Sequence, residues 1–178
     1  MAILKIVTAP NPFLAKLSLP IEAINDSILK LAEDMLETMY HENGIGLSAV
    51  QIGVLKRMIT VDVSQKRDAD GNLVETGEKF VMINPEVVES SKEKREYDEG
   101  CLSFPNESVK IVRPSFIVLK YLDLTGAEKR IKAEGLFATC IQHEIDHLNG
   151  ITISNYLSHL RKELMIKRLL KQQKRLTF

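Results

Sequence analysis

Residues 136–150 read LFATCIQHEIDHLNG. Apolar and polar positions recur there at helical spacing, and the pattern predicts a helix over 136–148, closed by Asn149-Gly150. The chain before it is of another kind. Segments 58–63, 80–83, 87–88, 109–112 and 116–124 are rich in β-branched or apolar residues and predict strands. Thr125-Gly126 predicts a hairpin turn into one more strand, 129–133. Farther upstream, Ile24, Ile28, Leu31, Met35 and Met39 recur at helical spacing, with Asp26 and Ser27 as candidate caps. Asn43-Gly44-Ile45-Gly46 must break that helix, because glycine adopts backbone angles that other residues avoid. Downstream, 157–175 predicts a third helix, and residues 1–20 read as an extended, proline-punctuated arm. The fold class that follows is α+β. Antiparallel sheets pack around the central helix 136–148, flanked by an N-terminal and a C-terminal helix.

The 178 residues amount to a single domain, 1–178, whose basic C-terminal helix covers about 157–176. Hydrophobic residues make up 44% and charged residues 27%, an ordinary globular balance that excludes disorder and coiled-coil rods. Twenty-four basic residues balance 24 acidic ones, which argues against a generally basic nucleic-acid binder. Cys101 and Cys140 are too few for a disulfide framework. The arm, with Pro10, Pro12 and Pro20, is not a secretory signal, and no run approaches the roughly 18 apolar residues of a membrane span. A reducing cytoplasm is the expected compartment.

The central helix carries His143-Glu144-Ile145-Asp146-His147. Residues four apart stand one turn above each other, so His143 and His147 present two imidazoles to a single ion. Glu144 lies about 100° round from His143 and reaches water beside that ion rather than the ion itself. The alternative is a pair of histidines that merely pack or cap. A catalytic metal site uses three protein ligands and keeps one position open. Downstream of Gly150 there are only His159 and Glu163, among lysines and arginines, and His159 reads as a surface residue. Upstream, DEGCLSFP at 98–105 reads as a loop that holds Cys101 between a glycine and a proline-ended turn. A lone cysteine is more often a small buried hydrophobe; beside a two-histidine helix it reads as the third ligand.

Residues 44–53, GIGLSAVQIG, form a tight turn whose glycines let the backbone approach a ligand, and Gln51 offers a neutral amide donor. The stretch lacks the glycine spacing and preceding strand of a dinucleotide site, so no nucleotide cofactor is expected. Asp68 and Asp70 have the acidic spacing of a calcium loop. However, Gly71 follows Asp70 directly, and the turn signals predict a solvated hairpin over 64–79.

At these segments the sequence resembles the peptide deformylase family. That family carries a GxGLAAxQ-type segment, an EGCLS segment and an HExDH helix in that order, which stand here as Gly44 to Gln51, Glu99 to Ser103 and His143 to His147. Leu148, Asn149, Gly150 and the proline-rich arm extend the resemblance over most of the chain. Ser48 stands where the family most often has Ala, and Val50 where it often has Pro. Both flank Gln51 and bear on the shape of the entrance. The arm after Pro12 also lacks the arginines common in relatives.

The resemblance implies removal of the formyl group from N-terminal formylmethionine of newly made polypeptides. Cys101, His143 and His147 would hold one divalent ion, with Fe2+ expected and Zn2+, Ni2+ or Co2+ as substitutes. The ion would bring its water near neutrality, and the hydroxide would attack the formyl carbon. Glu144 is then the general base and acid. The Gln51 side chain and the Leu102 N–H are the implied oxyanion donors. Ile45 and Gly46 are the implied backbone contacts to the peptide. For the methionine side chain, helical spacing nominates Leu136, Thr139 and Cys140, one or two turns before His143 on its face. Ile45 and Glu99 would complete the wall. Core packing is the alternative for Leu136 and Cys140. For Glu99 it is a carboxylate that orients a metal ligand.

Residues 157–178 hold Arg161, Lys162, Lys167, Arg168, Lys171, Lys174 and Arg175 against one acid, Glu163, a surplus of six positive charges balanced elsewhere in the chain. The substrate emerges from an RNA-rich ribosome, so contact with its phosphates is the expectation. The alternative is a solvated helix packed through Leu160, Leu164 and Leu169. No membrane and no sequence-specific nucleic acid is an expected partner. The rival enzyme is a zinc endopeptidase of the HExxH type, which usually draws its third ligand from downstream of the helix. A structural Cys-His-His module on the ribosome would leave Gln51 and Glu144 without work.

Overall fold

The computed structural model describes residues 2–176. The arm passes through a 3-10 turn, Pro12–Ala15, into helix α1, Asp26–His41. The cap of α1 is Asn25, one residue before the expected pair. Its Oδ1 accepts from the N–H groups of Ser27 and Ile28 at 3.1 and 3.2 Å, which are orphan donors of the first turn. Ile28, Ala32, Met35 and Met39 form the buried stripe. The helix stops where Asn43 takes a left-handed φ of 59°.

Five strands make the main sheet: β1 (Gly46–Ser48), β2 (Met58–Val61), β5 (Phe80–Ser90), β8 (Phe116–Leu122) and β9 (Glu128–Glu134). They run in the order β1-β2-β5-β8-β9, and every pairing is antiparallel. Between β2 and β5 hangs a small hairpin, β3 (Lys66–Arg67) and β4 (Leu73–Glu75). The Asp68 carboxylate is occupied there by the N–H groups of Asp70 and Asn72, so this is the expected hairpin. A second hairpin joins β6 (Lys94–Cys101) to β7 (Phe104–Pro114). The central helix is α2, Gly135–Leu148, and the last is α3, His159–Leu176.

Alternation along β2 assigns the two faces of the sheet. Ile59 and Val61 pack with Ala138, Ile141 and Leu148 of α2, whereas Met58 packs with Met35 and Met39 of α1. A third cluster joins Val109 and Ile111 of β7 to Met165 and Leu169 of α3. Helix α2 thus has the main sheet on one side and β7 on the other.

Three expectations are corrected. The segment 98–105 is not a free loop: 98–101 finish β6, and only Leu102 and Ser103 turn. The expected short strands 80–83 and 87–88 are one strand, broken in register where Asn84 takes a φ of 51°. Of the leucines expected to pack α3, Leu169 is buried, but Leu160 and Leu164 are 66% and 47% exposed, and Met165 is buried in their place.

Candidate active site

The site forms where the β6–β7 turn meets the middle of α2. Cys101 and Phe104 pair across Leu102-Ser103, so the sulfur comes from the rim of a tight hairpin. His143 and His147 come from α2, with ring centroids 4.9 Å apart. One ligand atom from each of Cys101, His143 and His147 lies within 4.8 Å of the others, and no other such group exists among the described residues. Cys101 Sγ is 3.2 Å from His147 Nε2. His143 Nδ1 is 2.9 Å from Glu99 Oε2, which leaves its Nε2 for an ion.

This donor set fits a divalent metal. One thiolate and two imidazoles are a three-ligand set of the kind that keeps a fourth position open. Burial disfavours charge on His143, yet the Cys101 sulfur and the Glu99 carboxylate hold its pKa well above the ordinary value. A place between two such groups that favours a proton also favours a cation. Burial drives His147 well below its ordinary pKa, so it stands neutral, as a ligand must.

Glu144 is fully buried, and its Oε2 has no hydrogen-bond partner among the described residues. Burial pushes its carboxyl up to about 7, against the pull of His143. Gly46 faces it from β1. A Cβ at Gly46 would lie 2.6 Å from both Glu144 Oε1 and Cys140 Sγ, so any larger residue would push these two side chains aside. Gln51 sits in the 3-10 turn Ala49–Ile52 with its amide fixed at both ends. Oε1 accepts from the N–H and the hydroxyl of Ser48, each at 2.9 Å. Nε2 donates to Ser103 Oγ at 3.1 Å and points at Cys101 Sγ, 3.6 Å away. Ser48 therefore sets the direction of Gln51.

A cavity of about 540 Å³ opens beside these groups. Ile45, Gly46, Glu99, Leu102, Leu136, Thr139 and Cys140 all line it, with His143 and Glu144 at one side. Thr139 and Cys140 are buried in its wall, while Leu136 stands 45% exposed at its edge. Cys140 also belongs to the core cluster and donates to the Ile45 carbonyl at 3.5 Å, so it packs the core as well as lining the cavity. Glu99 both lines the cavity and bonds His143.

The sequence reading missed Arg113. It is buried and grips both oxygens of Glu99, at 2.6 and 3.0 Å. The available signal was the alternation Val109, Ile111, Arg113, which puts a cation on the buried face of β7. His159 is exposed, as expected, and far from use as a ligand.

The family model described as polypeptide deformylase matches residues 3–163. A peptide deformylase of Rhizobium meliloti (strain 1021) is 45% identical over 98% of this chain and 96% of its own length. The crystal structure of peptide deformylase from Ehrlichia chaffeensis matches with a TM-score of 0.91 at 40% identity, covering 99% of this chain and 100% of that one. A peptide deformylase from Legionella pneumophila gives 0.85 at 40% identity over 99% and 98%. These matches do not favour the endopeptidase reading of the histidine helix. With the motifs in order, the cavity beside them and likeness along the whole length, this chain belongs to the polypeptide deformylase family and is an enzyme that removes formyl groups.

Proposed function

We propose that this single domain releases formate from the formylmethionine at the start of new polypeptides, and that Cys101, His143 and His147 hold the ion it needs. The convergence of those three ligand atoms beside the buried Glu144 carboxylate, whose Oε2 has no partner among the described residues, carries the reading. When bound there, a divalent ion supplies a Lewis acid and lowers the pKa of water at its open position. We assign Fe2+, with Zn2+, Ni2+ or Co2+ as substitutes, since thiolate and imidazole suit all four.

The remaining work belongs to side chains and backbone. Glu144 takes the proton of the attacking water and returns it to the departing nitrogen, a task suited to a buried carboxyl whose pKa is about 7. Gln51 Nε2 and the Leu102 N–H receive the negative charge that grows on the formyl oxygen. The fixed direction of the Gln51 amide supports that role. Ile45 and Gly46 bind the peptide backbone, and the bare Cα of Gly46 lets the chain come close. Thr139, Cys140 and Leu136 enclose the methionine side chain, and Glu99 keeps the His143 ring turned. The basic face of α3 docks on the ribosome, and the enzyme works in the cytoplasm. No helix among the described residues is long and apolar enough to cross a membrane.

The test is formate release from a formyl-Met tripeptide, beside an internally cleavable peptide, under oxygen exclusion. Rapid release from the first and none from the second is expected. Glu144→Ala should abolish turnover with metal still bound, and Cys101→Ala should lose the metal itself. Cleavage of the internal peptide, or a Glu144→Ala protein that still turns over, would overturn the proposal.

A further inference from the structure

Behind His143, a line of side chains from four elements runs out to solvent. Glu99 from β6 accepts the His143 Nδ1–H at 2.9 Å. Arg113 from β7 holds Glu99 through Nε and Nη2. Its third nitrogen, Nη1, donates to Asp146 Oδ2 of α2 at 2.8 Å. Tyr156, at the end of the 3-10 turn Ile153–Tyr156, donates to that same oxygen at 2.6 Å. Its ring lies under the guanidinium, 5.3 Å from the centroid. Exposure grows outward along the line: the side chains of Glu99 and Arg113 are 5% and 7% exposed, and that of Asp146 is 19% exposed. Tyr156 is 44% exposed.

A guanidinium shared between two carboxylates can tilt towards either. Asp146 is the outer one and partly in reach of water, so its angle decides where the Arg113 plane settles. Tyr156 fixes that angle from outside. The fork of Arg113 then meets Glu99 squarely, and one Glu99 oxygen remains aimed at Nδ1. That bond selects the tautomer whose Nε2 carries the lone pair for an ion. We propose that Asp146 and Tyr156 are positioning residues for His143, acting through Arg113 and Glu99 on the ring that holds the ion. The inference rests on the metal-site reading above and adds two residues that touch neither ion nor peptide. Outer partners of this kind typically change metal affinity or activity by about 10–100-fold when lost.

The experiment compares the wild-type enzyme with Tyr156→Phe and Asp146→Asn. Each is loaded with Co2+, whose visible spectrum reports thiolate and imidazole ligation, and cobalt affinity is measured by chelator competition. Asp146→Asn should weaken cobalt binding about 10–100-fold and Tyr156→Phe about 3–10-fold, with an altered visible band in both. The kcat on a formyl-Met tripeptide should fall in the same order while KM stays within about twofold. Wild-type affinity and spectrum in both variants would overturn the inference, even if their melting temperatures drop. Should Asp146→Asn not fold, the half-exposed Tyr156→Phe decides alone. A wild-type enzyme that binds cobalt but releases no formate would sink the reaction assigned above, and the cobalt comparison would still settle the positioning question.

Discussion

Helices α2 and α3 run 14 and 18 residues, both carry many polar side chains, and they are held in opposite ways. On α2 the polar groups His143, Glu144 and His147 are buried, and other elements fix most of them. On α3 the buried anchors are apolar, Met165 and Leu169, while Arg161, Lys167 and Lys171 stand in solvent. Burying polar atoms costs free energy unless something answers them, and Glu144 Oε2 is left unanswered. Polarity is thus informative where it is buried, and on α3 only its sign carries meaning.

The contrast should break most visibly at the amide that faces the thiol. Gln51→Ala is expected to cut kcat about 10²–10³-fold with the fold intact, read by formate release. A loss below about tenfold would remove Gln51 from the oxyanion role. Next comes stability. Arg113→Met leaves Glu99 and Asp146 without their cation in a buried place, so urea unfolding should show a loss of about 3–5 kcal/mol. The bidentate pair of Arg168 with Glu107 ties α3 to the same strand, but Arg168 is 55% exposed, so Arg168→Met should cost far less. Equal losses would erase the distinction between the two helices.

The ribosome reading of α3 calls for substitution rather than truncation, because removing the helix would uncover Val109 and Ile111. Lys167→Glu with Lys171→Glu should weaken co-sedimentation with ribosomes at low salt and leave turnover of a free tripeptide unchanged. Unaltered co-sedimentation would return α3 to plain packing. The smallest effect is at high pH. Burial, then the bond to Asp146, pushes the Tyr156 phenol up to about 12 from its ordinary value of 10.0. Above pH 10 the unfolded chain loses this proton first, so stability must fall as pH rises from about 10 through 12. Tyr156→Phe should flatten that decline in melting temperature; an unchanged slope would assign it to other groups.

Much of this was legible in the residues. The ends of α2 were clear because Asn149-Gly150 marks one and the apolar spacing marks the rest. The three ligands were legible because i, i+4 histidines have few other uses and few residues compete to be the third. Strand β6 was hidden by its own composition: Lys94 to Asp98 are mostly solvated, and the first buried residue, Glu99, is itself an acid, so no apolar alternation marks the strand. The cap of α1 was misplaced by one residue, because asparagine, aspartate and serine all suit that position and three of them are adjacent. The face of α3 was read correctly at Leu169 but not at Leu160 and Leu164, because leucines outnumber the sites available to bury them. Arg113 escaped because a cation inside a sheet face is invisible until its two carboxylates arrive from β6 and α2.

The turn between β6 and β7 puts neighbouring residues to separate uses: Cys101 brings its sulfur to the two histidines, Leu102 lines the cavity, and Ser103 anchors the Gln51 amide. Side chains alternate along a strand, so one inserted residue would swing each of them to the wrong side. No residue of the β3–β4 hairpin lines the cavity, and although Arg67 ties its base to Asn43 and Tyr40, its tip can lengthen or shrink without such a penalty. Indels in descendants of this gene should therefore collect at 68–72 and be purged at 101–104, which gives the molecule one hairpin where length is adjustable and one where it is part of the chemistry.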